Sequence, residues 1–286
     1  MNATSSVLGA FLESSAWGIP LPYLPEEMRA DVADIIAYTQ RKNTIDQVLD
    51  TLLQPIHHSN GPGAERSTVY DVWVTIVKAA EKTPQQNQDR LLQLCEALKC
   101  RKIPIDDDTK RNWQLRDDEL EDEERPPPFL GAIIREELDI VSNKSEEFIN
   151  LCSFSAYLTI YKSTNSGNYS LHGLWMIREA LEEHNSIEEL VLHQSITSIQ
   201  AARIWLQIAG STLYKASLAN EEYAGKMGIV GKGARAELHD NIKGFSIERW
   251  QFWHSRLESI CKNIQTEESM RQECKMTLQA MESAKR

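Results

Sequence analysis

The chain has 286 residues and a formal net charge of −11, with 41% hydrophobic and 26% charged side chains. That length allows one large domain or two small ones with a substantial core, and the mix excludes collagen-like and wholly disordered chains. The acidic balance argues against a bare nucleic-acid surface, and no apolar run approaches the roughly 18 residues that a membrane span needs.

Taken in chain order, the spacing of apolar residues predicts helix nearly everywhere. Asn43 stands before TIDQVLDTLL, Ser67 before TVYDVWVTIVKAAEK, and Thr83 before Pro84 at the first position of QQNQDRLLQLCEALK, which gives three helix starts. Between the first two, QPIHHSNGPG reads as a loop carrying His57 and His58. Residues 106–124 hold ten Asp/Glu and three Lys/Arg and run into Pro126 to Pro128. Like-charge repulsion and proline predict a solvated linker over 106–128, between helical parts at 1–105 and 129–286 that pack as one unit. Asn143 with Glu146, and Ser186 with Glu189, have the spacing of a reciprocal cap. Ile199, Ala202, Trp205, Ile208, Ala209 and Leu213 share a face of a central helix, where Ala201, Ala202, Ala209 and Gly210 admit close approach of another helix. Residues 221–246, with Gly225, Gly228, Gly231, Gly233 and Gly244, predict a long flexible loop with one short helical turn. Ser246 caps a helix with the stripe Trp250, Trp253, Leu257, Ile260, Cys261 and Ile264. Thr266 opens a last helix with the seam Met270, Cys274, Thr277 and Met281, and the two helices make an antiparallel hairpin. Alternating strand patterns are nearly absent, so the expected class is all-α, a multi-helix bundle of antiparallel helix pairs with essentially no sheet.

Few constellations point to chemistry. No histidine follows a glutamate by three residues, H-E-x-x-H is absent, and Glu189 with His193 reads as an exposed i,i+4 pair, so no metal site and no cofactor are expected. DDELE at Asp117, Asp118 and Glu121 matches an acidic diphosphate-binding motif by its letters only, inside an acidic run and ahead of prolines. In GIVGKGAR, Lys232 is followed by glycine rather than Ser or Thr, which speaks against a phosphate loop. Five cysteines without a C-x-x-C pair read as reduced core thiols, and MNATSSVLGAFLESSAW has no basic residue ahead of its apolar stretch, so the setting is read as cytoplasmic. An aromatic group remains: Trp175, Trp205, Tyr214, Trp250 and Trp253 either pack the core or line an apolar ligand pocket, with Arg178, Glu248, Arg249 and His254 as the polar groups for orientation or acid–base work.

LHGLWMIREALE, IQAARIWLQIAGSTLY and the segment GFSIERWQFW, with Phe245, Ser246, Glu248, Arg249, Trp250, Phe252 and Trp253, resemble a fungal family of all-helical proteins of unknown function over roughly residues 67–284. The resemblance implies a fungal source, a helical fold and a cytosolic setting. Because some members accompany secondary-metabolite genes, it also implies small-molecule work. The sequence therefore reads as a non-catalytic small-molecule-binding or protein-interaction module, with a cofactor-independent cyclase or isomerase as the alternative. A homodimer through the Ala/Gly face or the Met/Cys seam fits either reading.

Overall fold

The computed structural model describes residues 26–58, 69–100, 130–161, 169–239 and 241–286. Among them lie eleven α-helices: α1 (Glu26–Thr39), α2 (Ile45–His58), α3 (Val69–Lys82), α4 (Asp89–Cys100), α5 (Leu130–Val141), α6 (Ser145–Ile160), α7 (Ser170–Leu181), α8 (Ile187–His193), α9 (Ile196–Ala219), α10 (Ile247–Lys262) and α11 (Glu268–Ala284). Short 3-10 turns cover Gln85–Asn87 and Lys232–Ala234. The described residues hold no strand, only an isolated antiparallel bridge between Glu222 and Gly244, so the all-α expectation is borne out. Ser67, the 106–128 stretch and its DDELE motif lie outside the described residues.

Side-chain caps set some of the helix starts, and several starts differ from the sequence expectation by a residue or two. Thr44, not Asn43, caps α2: its hydroxyl accepts from Gln47 N at 3.3 Å, and Gln47 Oε1 accepts from Thr44 N at 2.8 Å, a complete capping box. Helix α2 runs on through His57 and His58, where the sequence predicts a loop. Thr83 turns its hydroxyl back to Ala79 O, so the segment after Pro84 begins as a 3-10 turn and α4 starts only at Asp89. The residue before α6 is Lys144, with no side-chain cap, rather than Asn143. Thr266 closes the preceding turn on Ile260 O instead of opening α11. Ser186 and Ser246 do cap, accepting from Glu189 N at 3.2 Å and Arg249 N at 3.1 Å. Glu189 reaches back one residue further than the box predicts, to Asn185 N at 3.0 Å.

Helix α9 is the axis of the C-terminal half and packs on α6, α7, α10 and α11. It is capped by Ser195 and ends where Asn220 adopts the left-handed conformation at φ 50°. Trp205 is fully buried, and a Cβ on Gly173 of α7 would stand 2.7 Å from its ring. Sequence neighbours joined by short turns run antiparallel, as α10 and α11 do, with His254 beside Glu282 and Cys261 beside Arg271. Two pairs further apart in the chain run parallel: Ser145 pairs with Thr197 and Cys152 with Trp205 across α6 and α9, and Arg203 pairs with Glu273 across α9 and α11. Helix α3 joins the N-terminal helices to this half by packing on α5 and α6.

Both faces offered for self-association are closed within the chain. A Cβ on Gly210 would meet the Ala284 Cβ at 3.0 Å, so the small-residue face of α9 receives α11. Met270, Cys274, Thr277 and Met281 of α11 are buried against the same bundle. In the α10 stripe, Trp250, Trp253, Leu257 and Ile260 are buried as expected, but Ile264 lies past the helix end and is 94% exposed. Cys95, Cys152, Cys261 and Cys274 are free thiols. Burial pushes Cys95 and Cys274 up to about 12 and raises Cys152 and Cys261 as well, which leaves them protonated and unreactive.

Candidate functional site

The most elaborate polar arrangement lies where the end of α7 meets α10 and the glycine-rich loop. Helical spacing builds it: Arg249, Trp253 and Arg256 fall at i, i+4 and i+7 on α10, while Arg178 and Glu182 are four apart at the end of α7. Glu182 and Arg249 are both fully buried and face each other in a fork, with Arg249 Nε 2.7 Å from Glu182 Oε1 and Nη2 2.9 Å from Oε2. Trp253 Nε1 donates to Oε1 at 2.5 Å and Gly231 N to Oε2 at 2.8 Å, so each carboxylate oxygen accepts two bonds. The remaining Arg249 donors reach the carbonyls of Gly228 and Gly244, both at 2.8 Å, and Ile229 at 3.2 Å. All five guanidinium N–H groups are engaged.

Two further arginines repeat the pattern on either side. Arg256 Nη2 donates to His184 O at 2.6 Å and to Gly233 O at 3.2 Å, with its guanidinium over the Phe252 ring. Arg178 reaches Met227 O and Ile229 O more loosely, at 3.5 and 3.4 Å, and Trp175 Nε1 donates to Met227 O at 2.8 Å. The loop thus lies with its carbonyls on three arginines, and it has to come close to do so. A Cβ on Gly231 would stand 2.6 Å from Glu182, and one on Gly233 2.2 Å from the His184 backbone. The flexible loop expected from the glycines is therefore a pinned one: glycine serves close approach here rather than mobility. The short helical turn expected within it is present at Lys232–Ala234.

Two of the four polar residues singled out in the sequence, Arg178 and Arg249, meet at this loop, and Trp175 shares the Met227 carbonyl with Arg178. Trp205, Trp250 and Trp253 are at most 2% exposed and pack as core, with Tyr214 half-buried against Trp250 at 5.1 Å between ring centroids. Trp175 is half-buried beside the loop. The other two polar candidates stand apart. His254 faces α11, 3.1 Å from Glu282, and Glu248 is exposed on the first turn of α10. Its carboxyl is lowered by its own backbone N–H and by the Ser246 hydroxyl. Sequence reasoning missed Glu182 and Arg256; their signal was helical spacing from Arg178 and Arg249, which shows a shared face but not a shared partner.

A second buried polar group joins α6 and α7. Ser155 Oγ lies 3.1 Å from His172 Nδ1, and the His172 ring stacks obliquely between Tyr169 and Trp175. Burial, helped by the charge of Arg135, pushes His172 down to about 4, so it is neutral at ordinary pH. The Tyr169 hydroxyl is buried without a partner. Among the described residues, no three His, Cys, Asp or Glu side chains are gathered as a metal-holding group. No described helix is long and apolar enough to cross a membrane.

A family model described as "Protein of unknown function (DUF3632)" matches residues 73–257, most of the chain, so the chain belongs to that family. The matched span takes in α7, the loop and the Glu182–Arg249 pair. Comparison with curated proteins and with solved structures found no match.

Proposed function

We propose that this member of a family of unknown function is a non-catalytic helical interaction module that presents residues 221–246, with Trp175 beside them, to a protein partner. The observation that carries this reading is the arginine pinning. A buried ion pair is weak evidence for stability, because desolvation offsets its attraction; what it supplies is one defined arrangement. Here that arrangement is the path of a surface loop, held on a rigid helical frame in the way recognition loops are. The groups that would work on a ligand are bound within the chain: Arg249 by Glu182, Trp253 by the same carboxylate, and His254 by Glu282. Met227, 37% exposed, lies in the loop where its carbonyl receives Trp175 and Arg178. Buried free thiols support a reducing, intracellular setting.

The test is native mass spectrometry of the full chain from its own host, followed by lysine cross-linking. A stoichiometric partner chain cross-linked through Lys226, Lys232 or Lys243 is expected, with capture reduced at least about tenfold by Met227→Glu, a change of about 1.4 kcal/mol. A stoichiometric small molecule in place of a partner overturns the reading and favours the second one, an enzyme of small-molecule metabolism. What favours that alternative is the buried Ser155–His172 pair beside the unpartnered Tyr169 hydroxyl.

A further inference from the structure

Between α3 and α5, three ionisable side chains meet largely out of water. Lys78 Nζ donates to Glu81 Oε1 at 3.0 Å and to Glu137 Oε2. The Glu137 side chain is fully buried, that of Glu81 is 5% exposed, and only Lys78, at 19%, has appreciable contact with solvent. Two carboxylates sharing one ammonium leave an uncompensated negative charge in a poorly solvated place. Carboxylates so placed avoid that charge by keeping a proton between them. The geometry provides for it: both carboxylates bond the same Lys78 ammonium, and Glu137 Oε1 is buried with no donor, an acceptor for that proton.

We propose that Lys78, Glu81 and Glu137 form a proton-operated clamp, which fastens α5 to α3 while one proton is held between the two carboxylates and loosens when that proton leaves. Charged and polar neighbours surround the cluster, and the charge of Glu137 bears on Glu136. From α6, Glu147 is held by Lys82 at 2.9 Å and Asn150 donates to Glu81 O at 2.9 Å. On α5, Glu136 pairs with its neighbour Arg135. Burial, set against Lys78 and reinforced by Glu137, pushes the Glu81 carboxyl up to about 7. Opening α5 would return that carboxyl to ordinary behaviour. The opening equilibrium should therefore rise up to about tenfold per pH unit until the proton is lost near pH 7, and then level off.

Two measurements on the full chain test this. Amide hydrogen exchange across 130–141, corrected for the intrinsic pH dependence, should show protection falling up to about tenfold per pH unit between pH 5 and 7 in the wild type. In Glu81→Gln, which keeps a neutral hydrogen-bonding head, protection should be high and independent of pH. The wild type should have a component of the infrared carboxylic-acid C=O band that titrates away over the same range and is missing from the Glu81→Gln spectrum. A flat wild-type exchange profile alongside a titrating band overturns the clamp and leaves a static buried acid. Absence of that component from the wild-type minus Glu81→Gln difference at pH 5 overturns the shared proton itself. Should Glu81→Gln fail to fold, both wild-type measurements still decide the matter.

Discussion

Arg249 donates to a carboxylate and to three carbonyls, so removing either side of its ion pair strands buried polar groups in different numbers. Glu182→Gln leaves an uncompensated buried guanidinium and should cost about 3–5 kcal/mol in urea unfolding. Replacing both residues by leucine removes that charge and should recover part of the loss, though not all, because the carbonyls of Gly228 and Gly244 lose their donors at about 1–3 kcal/mol each. A double variant no more stable than Glu182→Gln would show that the unpaired charge is not the main cost. Trp253 couples the same carboxylate to the core, and Trp253→Ala should cost about 3–5 kcal/mol. Unchanged stability on urea unfolding would mean that the indole is not core. The sequence marks Arg249 and Trp253 as neighbours on one helix face, which follows from local spacing. It does not mark Glu182, which lies 67 residues away, because a helical period says which way a residue points and not what it meets.

At the scale of elements, the glycine loop is where local and long-range information part. Its ends are tied by the bridge at Glu222 and Gly244, with Tyr223 N on Lys243 O at 2.8 Å and Phe245 N on Glu221 O at 2.9 Å. A Cβ on Gly228 would fall 1.9 Å from Lys243 O, so Gly228→Ala has to push the two sides of the loop apart. Tryptic cleavage after Lys226 and Lys232 should then accelerate at least about tenfold, while thermal unfolding of the helices moves far less. Equal acceleration at sites in α9 and α10 would show instead that the loop supports the bundle. Composition alone makes this segment a loose connection, because glycine signals mobility and close approach with the same letter. The helices are legible because their information is local: the apolar stripe of α9 and the Ser246 cap stand where their spacing predicts them. The cap error at Asn43 has a local reason too, since Asn43 and Thr44, side by side, compete for the same free N–H groups and only backbone geometry chooses between them.

Across the whole molecule, two buried groups pull acid stability in opposite directions. Glu81 holds its proton up to about pH 7 when folded, against an ordinary value of 4.5, so the native state binds more protons between those limits and stability falls as pH rises through them. His172 is held down to about 4 from 6.5, so the unfolded state binds more protons there, and stability falls as pH drops from 6.5 to 4. Each contributes up to about 3 kcal/mol, since every tenfold change in proton affinity is worth about 1.4 kcal/mol, and over their shared range the two slopes oppose. A single pH profile therefore hides both, and only differences between proteins separate them. Urea unfolding of wild type and Glu81→Gln from pH 4.5 to 7.5 should give profiles that lie together at the acid end and separate as pH rises toward 7, the wild type becoming the less stable. The difference between wild type and His172→Gln, whose amide can still meet Ser155, should grow over the lower half of that range. Parallel profiles would mean that neither group changes its protonation on unfolding. One site ties α5 to α3 and the other ties α6 to α7, so the pair of differences also reports whether the N-terminal and C-terminal helices unfold as one cooperative unit.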